Sequence, residues 1–172
     1  MGIEIKSNVP LDRDIFLRSL VRELAGVLED VVGYSDASGY IGVVGQNIGE
    51  WINELYKKEI GVSTLDSFQV AWVLVDLKRK IQGDFRLIEQ DSEKIVLSCN
   101  ACPFGEKVLD RPSMCMMTSN VFGVITAENL GYAKVVLKKT IARGDGKCEV
   151  IVYLTPSLEA EKAEGREYFR SM

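Results

Sequence analysis

The sequence contains no histidine. That removes Ser-His-Asp and Cys-His catalysis, histidine-ligated haem and the His-Glu-x-x-His zinc hydrolases, all of which need an imidazole. Proline is scarce at 4 residues among 172, and glycine stands at 15, which excludes collagen-like, mucin-like and broadly disordered chains. No apolar run approaches the roughly 18–20 residues that cross a bilayer, and residues 1–6 lack the charged-then-apolar layout of a signal peptide. Positive charge is not in excess either, since 21 Lys and Arg face 25 Asp and Glu for a net −4. Direct binding to nucleic acid is therefore not expected, and neither is a membrane. The expectation is a soluble, cytoplasmic protein.

With 47% apolar and 27% charged residues, the chain has ordinary globular usage and is long enough for a sizeable core. Apolar positions 11, 15, 20, 24, 27, 28 and 31 recur at helical intervals, predicting an amphipathic helix over 10–32 that ends at Gly33. A turn-rich link over 34–39 precedes a second helix over 40–60. Gly42, Gly45 and Gly49 form a stripe without side chains on one of its faces, at about 1 kcal/mol each relative to alanine. Such a stripe either packs tightly against another element or opens room for a ligand. A hydroxyl and an acidic group over 63–66 begin a third helix, which runs to the basic end Lys78-Arg79-Lys80 and stops by Gly83.

From Asp84 the period changes. Residues 85–89 and 94–97 flank a polar turn as a β-hairpin, a fourth helix spans 113–130 with Ser113 as its cap, and 132–142 with 148–155 form a last hairpin through Asp145-Gly146. The predicted fold is α+β: N-terminal helices, then hairpin, helix and hairpin, forming an antiparallel sheet packed on helices. Residues 1–155 are expected as one domain, and 156–172, rich in Glu, Lys and Arg, as a charged tail that is a solvated helix or a frayed end.

The 4 cysteines all lie in the C-terminal half: Cys99 and Cys102 as a C-x-x-C pair, Cys115 and Cys148. On the predicted elements they stand at a strand end, in the adjoining loop, near a helix start and at the opening of the final strand, where a small sheet and its helix converge. Four thiolates suit tetrahedral Zn²⁺ and equally the corners of an iron–sulfur cluster. Pro103 after Cys102 is a common companion of cluster ligands, and a helix start lowers the pKa of a thiol such as Cys115. A redox-active C-x-x-C pair without metal, or inert core thiols, are the competing readings.

Cys102-Pro103-Phe104, Val108, Pro112, Met114-Cys115 and the stretch over 140–148, Thr-Ile-Ala-Arg-Gly-Asp-Gly-Lys-Cys, resemble the C-terminal sensory domain of winged-helix repressors that control iron–sulfur cluster assembly. They are also similar to the vinyl-4-reductase-like domain family and the related methanogen output domain. In layout the resemblance covers residues 39–154. It implies that Cys102, Cys115 and Cys148 are cluster ligands to which Cys99 adds a fourth, and that the domain works as a homodimeric sensor. The attached winged helix has no counterpart in 1–32, so any output in transcription needs a protein partner.

Two functions are carried forward, both without catalysis. One is a regulatory sensor with a four-cysteine metal centre, an iron–sulfur cluster or zinc. The alternative keeps the cysteines as structural zinc and places an apolar ligand beside Trp51, Phe68, Trp72 and Phe122, aromatic residues that ordinary core packing also explains. A thiol reductase using Cys99 and Cys102 is disfavoured, because a hairpin and Pro103 replace the strand-to-helix junction of that chemistry.

Overall fold

The computed structural model describes residues 8–171. Helix α1 covers Arg13–Ile60; Asp12 caps it, accepting the Ile15 amide at 2.7 Å. It is one element only in outline, because Gly33 leaves helical geometry at φ 82°, ψ 163°, a left-handed backbone that favours glycine. Ala25 and Ile41 would lie roughly 24 Å apart along a straight helix, yet they belong to the same small apolar cluster. Gly33 therefore interrupts the helix as predicted, but the link over 34–39 is helical. Ala37 and Ser38 within it are buried, so packing overrides the turn propensity of the small polar residues.

Helix α2, Ser67–Lys80, opens on a capping box in which Asp66 accepts the Gln69 amide and the Gln69 side chain accepts the Asp66 amide. Strands β1 (Arg86–Gln90) and β2 (Lys94–Cys99) form the first hairpin. Two 3-10 turns, Gly105–Val108 and Pro112–Met114, lead into α3, Cys115–Leu130. Ser113 does not cap α3 but bonds Glu29 of α1. Strands β3 (Tyr132–Lys139) and β4 (Cys148–Tyr153) follow, then the short helix α4 (Leu158–Lys162) and strand β5 (Arg166–Phe169). The five strands form one antiparallel sheet in the order β1-β2-β4-β3-β5. The architecture is α+β.

The charged tail is not a frayed end. Its last strand β5 pairs with β3 and extends the sheet, and Tyr168 bonds Ser119 at 2.9 Å and lies so close to Gly123 that any Cβ there would enter its ring. Small α3 residues make that docking possible, a signal that charge content alone does not carry.

Ile95, Leu97 and Cys99 alternate inward along β2 and meet Val150 and Val152 of β4 and Val135 of β3. Helices α2 and α3 close over them, and the main core gathers around Phe122, Leu74 and Ile125. Helix α3 is buried on nearly every side, as expected of a helix set between a sheet and a further helix. That further helix is the second half of α1. The glycine stripe provides the contact: a Cβ on Gly45 would stand 2.9 Å from Cβ of Asn120, and one on Gly49 3.1 Å from Cβ of Val124. The stripe thus packs tightly and leaves no room there for a ligand. Asn129 fixes the far end, donating to Asn53 and the Ile125 carbonyl at 2.7 Å each while accepting the Leu65 amide at 2.8 Å.

Candidate thiol centre and adjoining cavity

The segment between β2 and α3 carries the cysteine motif. Asp84 holds its start by accepting the Asn100 and Ala101 amides at 2.7 Å each; burial pushes its carboxyl up, but those amides more than reverse the effect and leave it below its usual value. Pro103 packs on Gly83, where a Cβ would come within 2.8 Å of the proline ring. Gly105, at φ 57°, turns the chain and returns its amide to the Cys102 carbonyl at 2.8 Å.

Cys99 and Cys148 are directly opposed across β2 and β4. The Cys99 thiol hydrogen has the Ala101 carbonyl at 3.1 Å and the Cys148 sulfur as acceptors, and Cys148 also accepts the Ile141 amide at 3.5 Å. The bond from Cys99 favours the Cys148 thiolate and lowers its pKa, and the same bond, with burial, raises that of Cys99. Cys102, Cys115 and Cys148 line one small cavity of about 30 Å³, room for about one water. Burial raises Cys102 and pushes Cys115 up to about 12. At Cys115 desolvation therefore outweighs the lowering expected from the helix start.

Lys78 belongs to this centre, although the sequence marked it only as part of the basic end of its helix. It is only 4% exposed. Its ammonium donates to Thr118 Oγ1 at 2.7 Å and lies 5.3 Å and 5.2 Å from the ring centroids of Phe85 and Phe122. Burial lowers its pKa to about 8, and thiolate charge on the neighbouring cysteines, Cys102 first, works against that shift. The sequence held a signal: Lys78 continues the buried line Val70 and Leu74 at intervals of four. An ammonium beside four thiols stabilises one thiolate among them, and Cys148 is best placed to carry it.

The donor set has the chemistry of a zinc or iron–sulfur site. Its geometry is different: among the described residues, no three Cys, Asp or Glu side chains stand close enough together to hold a metal ion. As arranged, three of the thiols line one small cavity, with Thr118 between that cavity and the Lys78 ammonium.

A second cavity, about 330 Å³, adjoins the first and shares Phe104 and Met114 with it. Val21, Leu24, Ala25 and Leu28 line it from the first half of α1, Ile41 and Val44 from the second, and Met117 from α3. Its volume and wholly apolar wall suit a small hydrophobic ligand. The bend at Gly33 creates it, which is why a reading of single elements passed over it. Polar contacts latch the first half of α1 onto the cysteine segment: Arg22 donates to the Lys107 and Leu109 carbonyls at 2.6 Å each, and Arg111 approaches Glu29 at 3.6 Å.

The four aromatic residues expected around a pocket do not meet. Trp51, Phe68 and Trp72 are exposed, whereas Phe122 is fully buried beneath Lys78. Trp51 follows the glycine stripe by two positions and so faces away from α3, and Trp72 meets the edge of Tyr56 at 5.8 Å. Of that set, Phe122 alone touches the candidate site.

With this geometry established, comparison with known proteins gives the family. The family described as methanogen output domain 1 matches residues 20–153. The chain belongs to that family. The match spans the bent α1, the cysteine segment and four of the strands. No protein with a curated description matches. Among solved structures, the chain is similar to trafficking protein particle complex subunit 3 from Naegleria fowleri, covalently bound to palmitic acid. The identity is 13% and the TM-score 0.55, over 91% of this chain and 99% of that one. At that identity the likeness is one of fold. Among the described residues no helix is long and apolar enough to cross a membrane.

Proposed function

We propose that this output domain is a non-catalytic sensor in which the α1 cavity receives an elongated apolar ligand and the latched first half of α1 carries the response to a protein partner or a second copy. The observation that carries this reading is the 330 Å³ apolar cavity walled by both halves of α1 and by the segment holding Cys102 and Cys115. A ligand there touches both halves of α1 and the thiol segment at once, so occupancy changes how they pack. The palmitic acid bound by the structurally similar trafficking subunit supports an acyl chain as the ligand class.

Native mass spectrometry of the protein titrated with palmitic acid tests this. One acyl chain per protein is expected, with at least tenfold weaker binding for Ile41→Trp, which fills the cavity. Equal binding by the variant, or none by the wild type, overturns the reading.

A second reading, favoured by Cys102, Cys115 and Cys148 lining one cavity with Cys99 opposed to Cys148, is a sensor with an iron–sulfur cluster or zinc held by Cys99, Cys102, Cys115 and Cys148, and it requires those thiols to close together. The mass of protein purified without oxygen decides it. Retained zinc or iron with sulfide, lost in Cys102→Ser, supports the metal centre, and apo mass in both proteins excludes it.

A further inference from the structure

The first half of α1 carries a pattern that neither the ligand cavity nor the thiol centre uses. Leu17, Leu20, Leu24, Val27 and Val31 follow one another at steps of three, four, three and four, the spacing of a coiled-coil seam. All five are exposed, from 43% at Leu20 to 75% at Val31. The helix is held from the opposite side, where Arg22 and Glu29 reach the cysteine segment and Gly26 meets the Arg111 side chain. With Leu17 taken as position a, Arg22 and Glu29 are both f positions, directly across the helix from the a and d seam. Apart from Leu24, which also borders the cavity, the seam therefore points away from its own domain.

We propose that this seam binds the same seam of a second copy, in parallel, as a two-stranded coiled coil with the two domain bodies on its outer sides. Area and charge favour that occupant. Phe16 and the five seam residues, exposed from 43% to 75%, leave an apolar strip on the order of 600 Å², at the upper end of what a monomer commonly exposes and close to the roughly 800 Å² that each partner gives to a standard interface. Glu23 and Asp30 occupy g positions beside the seam. An antiparallel pair brings g positions together and sets these carboxylates against each other. A parallel pair brings g against e, placing Phe16 on Val21 of the second copy and separating the acidic groups. Because Leu24 lies on the seam and also lines the cavity, the pairing adjoins the proposed ligand site, but it does not rest on that reading.

Sedimentation equilibrium of the full chain and of the double variant Leu20→Glu, Val27→Glu is the first test. The wild type is expected as a dimer and the variant as a monomer, with unchanged circular dichroism and an unchanged melting temperature at the concentration where both are monomeric. Orientation is read from Leu17→Cys and Val31→Cys under mild oxidation, with the cross-links mapped by peptide mass. Each variant is expected to form a disulfide with its own copy. Cross-links found only between the two variants when mixed overturn the parallel arrangement. A wild type that stays monomeric at 0.1 mM (about 2 mg/mL at 19.1 kDa) overturns the proposal, as does a variant that remains dimeric. A monomer that binds phosphatidylcholine vesicles through this face overturns it too, and assigns the face to lipid.

Discussion

The protein has two apolar clusters of very different build. The larger joins α2, α3 and the sheet around Phe122, Leu74, Ile95 and Leu97, with side chains fully enclosed. The smaller gathers Ala25, Ile41, Val108, Met114 and Ala142 between α1 and the cysteine segment, leaves a cavity, and depends on polar latches at its rim. A close-packed core resists change in volume, whereas a small cluster with a void adjusts to an occupant. Under the proposed function the difference separates labour: the first cluster holds the fold, and the second is the part that would accept a ligand and move.

The comparison is broken most severely by truncation in each cluster. Phe122→Ala removes a fully buried ring that meets the Phe85 ring at 5.6 Å, with an expected loss of about 3–5 kcal/mol. Met114→Ala in the small cluster is expected to cost about 2 kcal/mol, the low end for such a change, because the first half of α1 can settle into the gap. Urea unfolding of both variants measures the contrast, and equal losses remove it.

Lys78 sharpens the comparison, since it is a charge within the otherwise apolar main core. Its folded pKa of about 8 lies below the ordinary 10.5. Below pH 8 both states carry the proton, and the full cost of burying it is present. Between about 8 and 10.5 the unfolded chain holds the proton more often than the folded one, so this group makes stability rise with pH. Lys78→Met removes that burial cost and lets the Cys148 thiol keep its proton, so it is expected to be about 2 kcal/mol more stable than the wild type at pH 7, an advantage that disappears by about pH 10. Denaturation of both proteins at the two pH values checks it; a methionine variant that is less stable at pH 7 contradicts the assignment of Lys78 as a residue kept for the thiol centre at the expense of the core.

The smallest effect on global stability is expected from Arg22→Ala. Removing two hydrogen bonds to carbonyls at the rim costs about 1 kcal/mol. Hydrogen exchange is where it shows: amides of 13–32 should exchange at least tenfold faster while β2 and β4 keep their protection. Uniform acceleration would mean that the two clusters unfold together.

Much of this was legible in the sequence. Local signals placed Gly33 as a break, both hairpins, the basic end of α2 and the Asp145-Gly146 turn, because each rests on backbone preference or period. The glycine stripe signalled close packing, and α3 fills it. The strand order, the return of β5 to β3 and the burial of Lys78 depend on contacts between distant segments, which no local pattern specifies. For the site, motif spacing brought the four cysteines to one neighbourhood, and the structure places Lys78 and Thr118 among them. The apolar cavity escaped because its walls come from two halves of one helix folded at a glycine. Trp51, Phe68 and Trp72 misled because aromatic content says nothing about which face of a helix is inward.

The central claim is that the small cluster receives the signal and the main core does not. Hydrogen–deuterium exchange of the protein with and without saturating palmitic acid tests it most directly. The account predicts slower exchange over 18–32 and 102–117, with α2 and the strands unchanged; protection centred on α2 and the sheet, or none anywhere, would contradict it.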